Sequence, residues 1–214
     1  MMRHRAADAV LCALAAVLAG CASARSDFYT LSPSASAKTP AAVYPGAVGR
    51  SCAVHGARGA MPSVAVGPVS VPAVVDRPQI VVRTGPNRVA IDEFHRWGSP
   101  LQSEIPRVVA ENLSAMLGTP HVTVFPKPTS GGATYRAVVD VMVFDSAPGV
   151  AASLDAVWTV RDAESGAQRT GRTTVREDVQ EKGYAALAAA HSRALGKLSA
   201  DIADAIRAMG RGGR

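Results

Sequence analysis

Aromatic residues are scarce in this 214-residue chain, at 5% of the total, and cysteine occurs only three times. So few Phe, Tyr and Trp leave little material for stacking nucleobases, and three cysteines cannot support a disulfide-rich scaffold. Long apolar runs are missing after the start. Fifteen of the first twenty residues are hydrophobic, and no later stretch approaches the ~18 apolar residues that a membrane-spanning helix needs, which excludes a multi-span membrane protein. Charge is modest at 19%, with a formal net charge of +6 and no dense Lys/Arg run, so nucleic acid is excluded as a partner. Chemistry-bearing motifs are absent too: no Gly-x-x-x-x-Gly-Lys-Ser/Thr loop, Gly-x-Ser-x-Gly elbow, His-Glu-x-x-His pair or Cys-x-x-Cys. The five histidines, His4, His55, His95, His121 and His191, never fall at metal-ligand spacing. Asp140, Asp145 and Asp155 sit in strand-like runs whose alternation turns most of them to solvent. The chain reads as a non-enzyme with no catalytic residue, no cofactor and no metal.

What is present is a soft apolar excess, 48% hydrophobic residues of which 40 are alanine, with enough Val, Leu and Ile to argue against wholesale disorder. Its first part is a leader. Residues 1–5 supply a short basic region and residues 6–18 an apolar one, interrupted by Asp8 and too short to span a bilayer. Leu18-Ala19-Gly20-Cys21 follows. It resembles the bacterial lipobox, which implies cleavage after residue 20, diacylglycerol on the Cys21 thiol and a further palmitate-class acyl chain on the new terminus. Several acyl chains anchor stably, at about 0.8 kcal/mol per buried CH₂, where one alone is marginal. Ala22 stands where similarity to sorted lipoproteins would associate Asp with inner-membrane retention, so the expected location is the periplasmic face of the outer membrane, with the bilayer held through lipid. Cys12 leaves with the leader and Cys21 takes lipid. Cys52 then stands alone in a Gly/Ala/Ser-rich stretch, and reads as a tolerated loop thiol.

Residues 21–27 form a lipidated tether, 28–31 an early β-prone strand, and 32–61 a flexible Ser/Ala/Gly/Pro loop. An ordered domain spans 62–209 and a basic tail 210–214. Within the domain, Val64 to Val69 reads as a strand, and Gln79 to Arg83 with Arg88 to Ile91 as a hairpin. Ser99 as cap, Pro100 at the first helical position and Gln102 completing a capping box predict a helix start. Leu101, Ile105, Val108, Asn112 or Leu113, and Met116 continue at helical spacing to a stop at Gly118, with Pro106 inside the run. His121 to Phe125 gives a short strand. Tyr135, Ala137, Val139, Val141 and Val143 define one face of a strand that is apolar on much of both faces and so central. Leu154, Ala156, Trp158 and Val160 define a half-buried strand, and the polar run from Gln168 to Glu177 suits a sheet edge. A closing helix carries Tyr184, Leu187, His191, Leu195, Leu198, Ile202, Ala205 and Met209 on one stripe and ends at Gly210. The fold expected is a single α/β domain, a mixed β-sheet packed with one mid-chain and one long C-terminal helix.

One segment is specific. Val69-Ser70-Val71-Pro72-Ala73-Val74-Val75-Asp76-Arg77-Pro78-Gln79-Ile80-Val81-Val82-Arg83 is followed by Glu93-Phe94-His95-Arg96-Trp97 and by Pro100-Leu101. With Phe28-Tyr29-Thr30-Leu31 and Trp158, it resembles the ABC-type transport auxiliary lipoproteins, the PqiC-like family. The 32–61 insertion has no clear counterpart there. The resemblance implies an accessory subunit that docks the periplasmic component of an ABC/MCE-type lipid or organic-solvent transport system at the outer membrane. Its implied partners are an MCE-domain periplasmic protein and an ABC permease/ATPase complex, with phospholipid as a further candidate. The sequence leaves the oligomeric state open, a homo-oligomer included. Candidate partner-binding residues are Asp76, Arg77, Gln79, Arg96 and Trp97. Arg77 beside a Pro-fixed bend could bind a carboxylate or a lipid phosphate in a fork, or the bend could be held by internal pairs. Arg96-Trp97 is either a cation and aromatic platform or a buried anchor. Two other classes remain open: a lipid-binding carrier lipoprotein, and a lipoprotein regulator of cell-envelope synthesis.

Overall fold

Alternating apolar residues build most of the strands seen in the computed structural model, which describes residues 25–34 and 61–212. The leader, Cys21, and most of the 32–61 segment with Cys52 and His55 lie outside the described residues. In chain order the elements are β1 (Asp27–Tyr29), β2 (Val64–Ser70), β3 (Gln79–Gly85), β4 (Arg88–Trp97), α1 (Leu101–Leu117), β5 (Val122–Val124), a 3-10 turn (Pro128–Ser130), β6 (Tyr135–Ala147), β7 (Ala151–Asp162), β8 (Gln168–Asp178) and α2 (Tyr184–Gly212). The fold is α/β with two main helices in one domain, and its strands divide between two sheets. A five-stranded mixed sheet has the order β5-β2-β6-β7-β8, and a three-stranded one the order β1-β4-β3.

In the larger sheet β6 is central and pairs with β2 in parallel and β7 in antiparallel fashion, while polar β8 takes the edge. The helices pack together, α1 over β2 and β5 and α2 mainly over β7 and β8. The inward set of Ala137, Val139, Leu154, Ala156 and Val160 meets Leu187, Leu195, Leu198 and Ile202 of α2 in one apolar core. Burying such side chains stabilises by about 1.5–3 kcal/mol each, the dominant favourable term. Trp158 joins the core from β7 because Gly171, its register partner on β8, leaves room for the indole. A Cβ at position 171 would collide with the ring. The indole Nε1 donates to Thr173 Oγ1 at 3.0 Å, and Thr173 Oγ1 donates to Asp201 Oδ2 at 2.6 Å, tying β7, β8 and α2 together.

Three sequence expectations change. Pro100, not Ser99, is the N-cap of α1, without a side-chain cap, and its carbonyl accepts from Ser103 and Glu104 instead. The fixed φ of proline suits this non-helical cap geometry equally well, and Gln102 is drawn elsewhere. Gly118 ends α1 in the left-handed conformation, whereas α2 runs past Gly210 to Gly212. Pro106 sits in an unbroken helix. In β6 the pairing slips between Val141 and Val143, so the inward phase of Tyr135 to Val141 passes to Phe144 and Ser146. This β-bulge, an extra residue at Met142, sends Met142 into solvent and Phe144 into the core.

Candidate docking site

The three-stranded sheet lies beside the C-terminal half of β6, where Arg83 on β3 donates from Nε to Asp145 Oδ2 at 2.6 Å. Into it leads a tight bend in which Val75 and Asp76 N–H both donate to the Pro72 carbonyl, at 3.0 and 3.2 Å. Asp76 Oδ2 accepts from Gln102 Nε2 at 3.0 Å, which fastens the bend to the first turn of α1 and explains why Gln102 makes no capping box. Gln79 and Arg96 are register partners on β3 and β4, and both reach Glu93. Gln79 Nε2 donates to its carboxylate at 3.1 Å, and Arg96 Nε to its carbonyl at 2.9 Å. The Trp97 N–H donates to the Pro78 carbonyl at 2.7 Å, closing the junction. The Asp-Arg-Pro-Gln and His-Arg-Trp blocks therefore meet where β3 begins and β4 ends.

These contacts sort the candidates. Asp76 is exposed and Gln79 and Arg96 are half-buried, each with an intramolecular partner; exposed polar pairs of this kind contribute only about 0–1 kcal/mol. They hold the bend and leave it accessible. Arg77 is half-buried, and its Nε is buried without a hydrogen-bond partner among the described residues. Trp97 requires a correction. At 5% exposure its indole packs edge-on against Phe144 and His191, so it is a core anchor and presents nothing to a partner. His191, fully buried, stacks on Phe144 at 3.9 Å and shares a 2.8 Å hydrogen bond between Nε2 and Ser146 Oγ. Burial pushes its imidazole down to about 3, so the ring is neutral at physiological pH.

A second cluster passed unnoticed in the sequence. Against the pairing of β3, β4 bulges between Asp92 and Arg96, and Asp92 Oδ1 accepts the N–H groups of Phe94 and His95 at 3.0 Å each. Its other oxygen accepts from the Tyr184 hydroxyl at 2.6 Å. His95 stacks on Tyr184 at 4.0 Å and its Nδ1 is 2.9 Å from the Tyr29 hydroxyl, so one cluster joins β1, β4 and the start of α2. Burial opposes the Asp92 charge, but the Tyr184 hydroxyl and the two amides outweigh it and hold the carboxyl below its ordinary range. Tyr184 is raised by burial and by that same hydrogen bond. The available signal was local: an Asp two residues before an amide in a bulged strand can accept its proton in an Asx turn.

The N-terminal segment is stitched down throughout. β1 pairs in parallel with β4, Asp27 opposite His95 and Tyr29 opposite Trp97. Leu31 is buried, its carbonyl accepts from Arg107 Nη2 at 2.7 Å, and the Ser32 N–H donates to Ser192 Oγ at 3.0 Å. Gly196 provides space for Ser34 to cross α2, where a Cβ would clash. Open surface grooves of about 410 Å³, between this segment and α2, and about 440 Å³, between the ends of β2 and β5 and the start of α1, flank the domain. Among the described residues no three His, Cys, Asp or Glu converge as a metal site requires, and no helix is long and apolar enough to cross a membrane.

Residues 29–203 match the family model described as the ABC-type transport auxiliary lipoprotein component. Among solved structures the chain is similar to a crystal structure of an uncharacterized protein (TM-score 0.64, 18% identity), covering 86% of this chain and 99% of that one. It is also similar to a Xanthomonas campestris protein crystal structure (TM-score 0.53, 20% identity), covering 73% of this chain and 92% of that one. At these identities the likeness concerns the fold alone. No curated protein matches the sequence.

Proposed function

Because this chain belongs to the ABC-type transport auxiliary lipoprotein family, we propose that it is a non-catalytic accessory subunit that docks the periplasmic component of an ABC/MCE-type lipid or organic-solvent transporter at the outer membrane. Lipid on Cys21 holds it at the periplasmic face. The observation that carries this reading is the convergence of the two family blocks on one exposed junction, the Asp76 bend beside the β3–β4 hairpin, next to the strand that follows the tether. A half-buried Arg77 beside an accessible bend suits a carboxylate-bearing protein partner, which the exposed part of its guanidinium can engage.

The test is affinity capture of the lipidated full chain from native membranes in mild detergent. Recovery of an ABC-system periplasmic component with its permease is the expected result. Failure to recover any such component, with the bait intact and membrane-bound, contradicts the proposal.

A further inference from the structure

Phe28 is the most exposed large apolar side chain among the described residues, at 66%, and Phe94 stands at 49%. Side chains alternate along a strand. His95 and Tyr29 turn inward onto Tyr184, so Arg96 and its register partner Phe28 fall on the outer side, and Phe94, in the β4 bulge two residues before Arg96, is exposed as well. Two solvent-facing phenyl rings therefore sit on adjacent strands. Neither is idle surface of a mobile strap, because β1 is fixed by its pairing, by the 2.7 Å hydrogen bond from Gly98 N–H to the Tyr29 carbonyl, and by the buried Leu31 behind it.

Their place in the chain names the occupant. Six residues, 22–27, separate Cys21 from Phe28, and six extended residues span at most about 20 Å. A domain fixed at Asp27 and anchored by lipid at Cys21 keeps this face within that distance of the bilayer. Charges around the rings are mixed, Arg25 and Arg96 against Asp27 and Glu93, so attraction to anionic lipid is not what the surface offers. Ring burial at the boundary between headgroups and acyl chains is.

We infer that the outer face of β1 and β4, led by Phe28 and Phe94, is a bilayer-contacting surface that inserts both rings into the phospholipid interface. This rests on the lipid anchor at Cys21 and goes beyond it. Acyl chains on a tether hold the protein at the membrane, whereas two inserted rings on a rigid sheet fix its orientation and present the Asp76 bend at a set height. Arg96 and its register partner Gln79 then lie at the rim of this face, between the bilayer and the Asp76 bend, and Arg77 remains for the protein partner.

The experiment uses the mature chain carrying Cys21→Ala, free of lipid, with vesicles of phosphatidylethanolamine, phosphatidylglycerol and cardiolipin. Trp97 and Trp158 are buried, so a Phe28→Trp reporter is read against a constant background. Its emission should shift to the blue and be quenched by bromine-labelled acyl chains, unchanged by 0.5 M salt. Glu164→Trp is the control. It lies in the β7–β8 turn beside Tyr135, at the opposite end of β6 from Asp145, and should not be quenched. In flotation, Phe28→Ser and Phe94→Ser should each lower vesicle partition about tenfold, with thermal unfolding midpoints confirming that both fold. An unquenched reporter at position 28, or unchanged partition of the double variant, overturns the inference. So does a double variant that keeps vesicle partition and loses its protein partner, since the patch is then a protein interface. Mass spectrometry of the native chain reads acylation of Cys21 separately, so failure of the anchor and failure of this surface are told apart.

Discussion

The five-stranded sheet turns one face of its long strands into a continuous core with two helices, whereas the three-stranded sheet leaves Phe28, Val89, Ile91 and Phe94 in solvent. Both are held by ordinary backbone pairing, so the contrast lies in what covers them. α2 lies on the larger sheet for much of its 29 residues, and touches the smaller one through Tyr184 at its start and through His191 against Trp97. Two sheets of one chain thus do different work. Both bury apolar side chains in the one core, the smaller through Ile80, Val81, Val82 and Trp97, but the smaller also keeps an accessible outer surface whose polar fasteners are worth little individually.

The largest effect should come from weakening the stable half. Leu195→Ala, at a fully buried position on α2, should cost about 2–5 kcal/mol, seen as a lower urea midpoint, and should leave partner capture by the remaining folded protein unchanged. If capture falls in proportion to stability, the two sheets are not separate in function.

His191 gives the next effect, at the seam between them. Its folded-state pKa is about 3, below the unfolded value near 6.5, so the unfolded chain binds the proton in that interval. Stability should therefore decline as pH falls from 6.5 toward 3, by up to about 1.4 kcal/mol per unit. His191→Leu should flatten the decline between pH 6.5 and 4.5 in urea titrations. Asp92 acts in the same sense, but at lower pH. Its lowered pKa gives stability that is full above the unfolded carboxylate value and is lost only at more acid pH, outside that interval.

Tyr184→Phe removes the hydroxyl that Asp92 accepts and should cost about 1–2 kcal/mol. Its effect should be local, with faster hydrogen exchange at the Gly98 amide bonded to Tyr29 and little change in β6 and β7. Uniform acceleration throughout the molecule would erase the distinction. Smallest in stability is Asp76→Ala, which loses one exposed hydrogen bond to Gln102 and should cost less than about 1 kcal/mol. Partner capture should nevertheless fall markedly, since the bend is no longer fastened to α1.

The stable half was the more legible in sequence, for a physical reason. Its strands and helices carry their periodicity within ten or so residues, so Leu154 to Val160 and Leu187 to Ile202 announced their buried faces directly. The bulge at Met142 was not legible. An extra residue is defined by the partner strand, and alternation alone put Val143 where Phe144 belongs. Trp158 pointed to the core, but its need for Gly171 appears only once β7 and β8 are paired. At the docking end, the Asp76 and Arg96 blocks were recognisable as patterns, yet their meeting depends on contacts with Gln102 and Glu93 that no local rule supplies. Asp92 looked like one more polar strand residue because its partner Tyr184 lies 92 residues away. Trp97 was ambiguous for the same reason, and Phe144 and His191 decide that it is buried.

The most direct test of the docking account places a photo-crosslinking phenylalanine analogue at Gln79 or at Glu164 in the full-length lipidated chain in its native membranes. Position 79 lies in the junction of the bend and hairpin, and position 164 in the turn at the far end of the larger sheet. The account expects an adduct with the periplasmic component of an ABC transport system at position 79 and none at position 164. An adduct at position 164 alone, or no adduct at either with the transporter present, would contradict it.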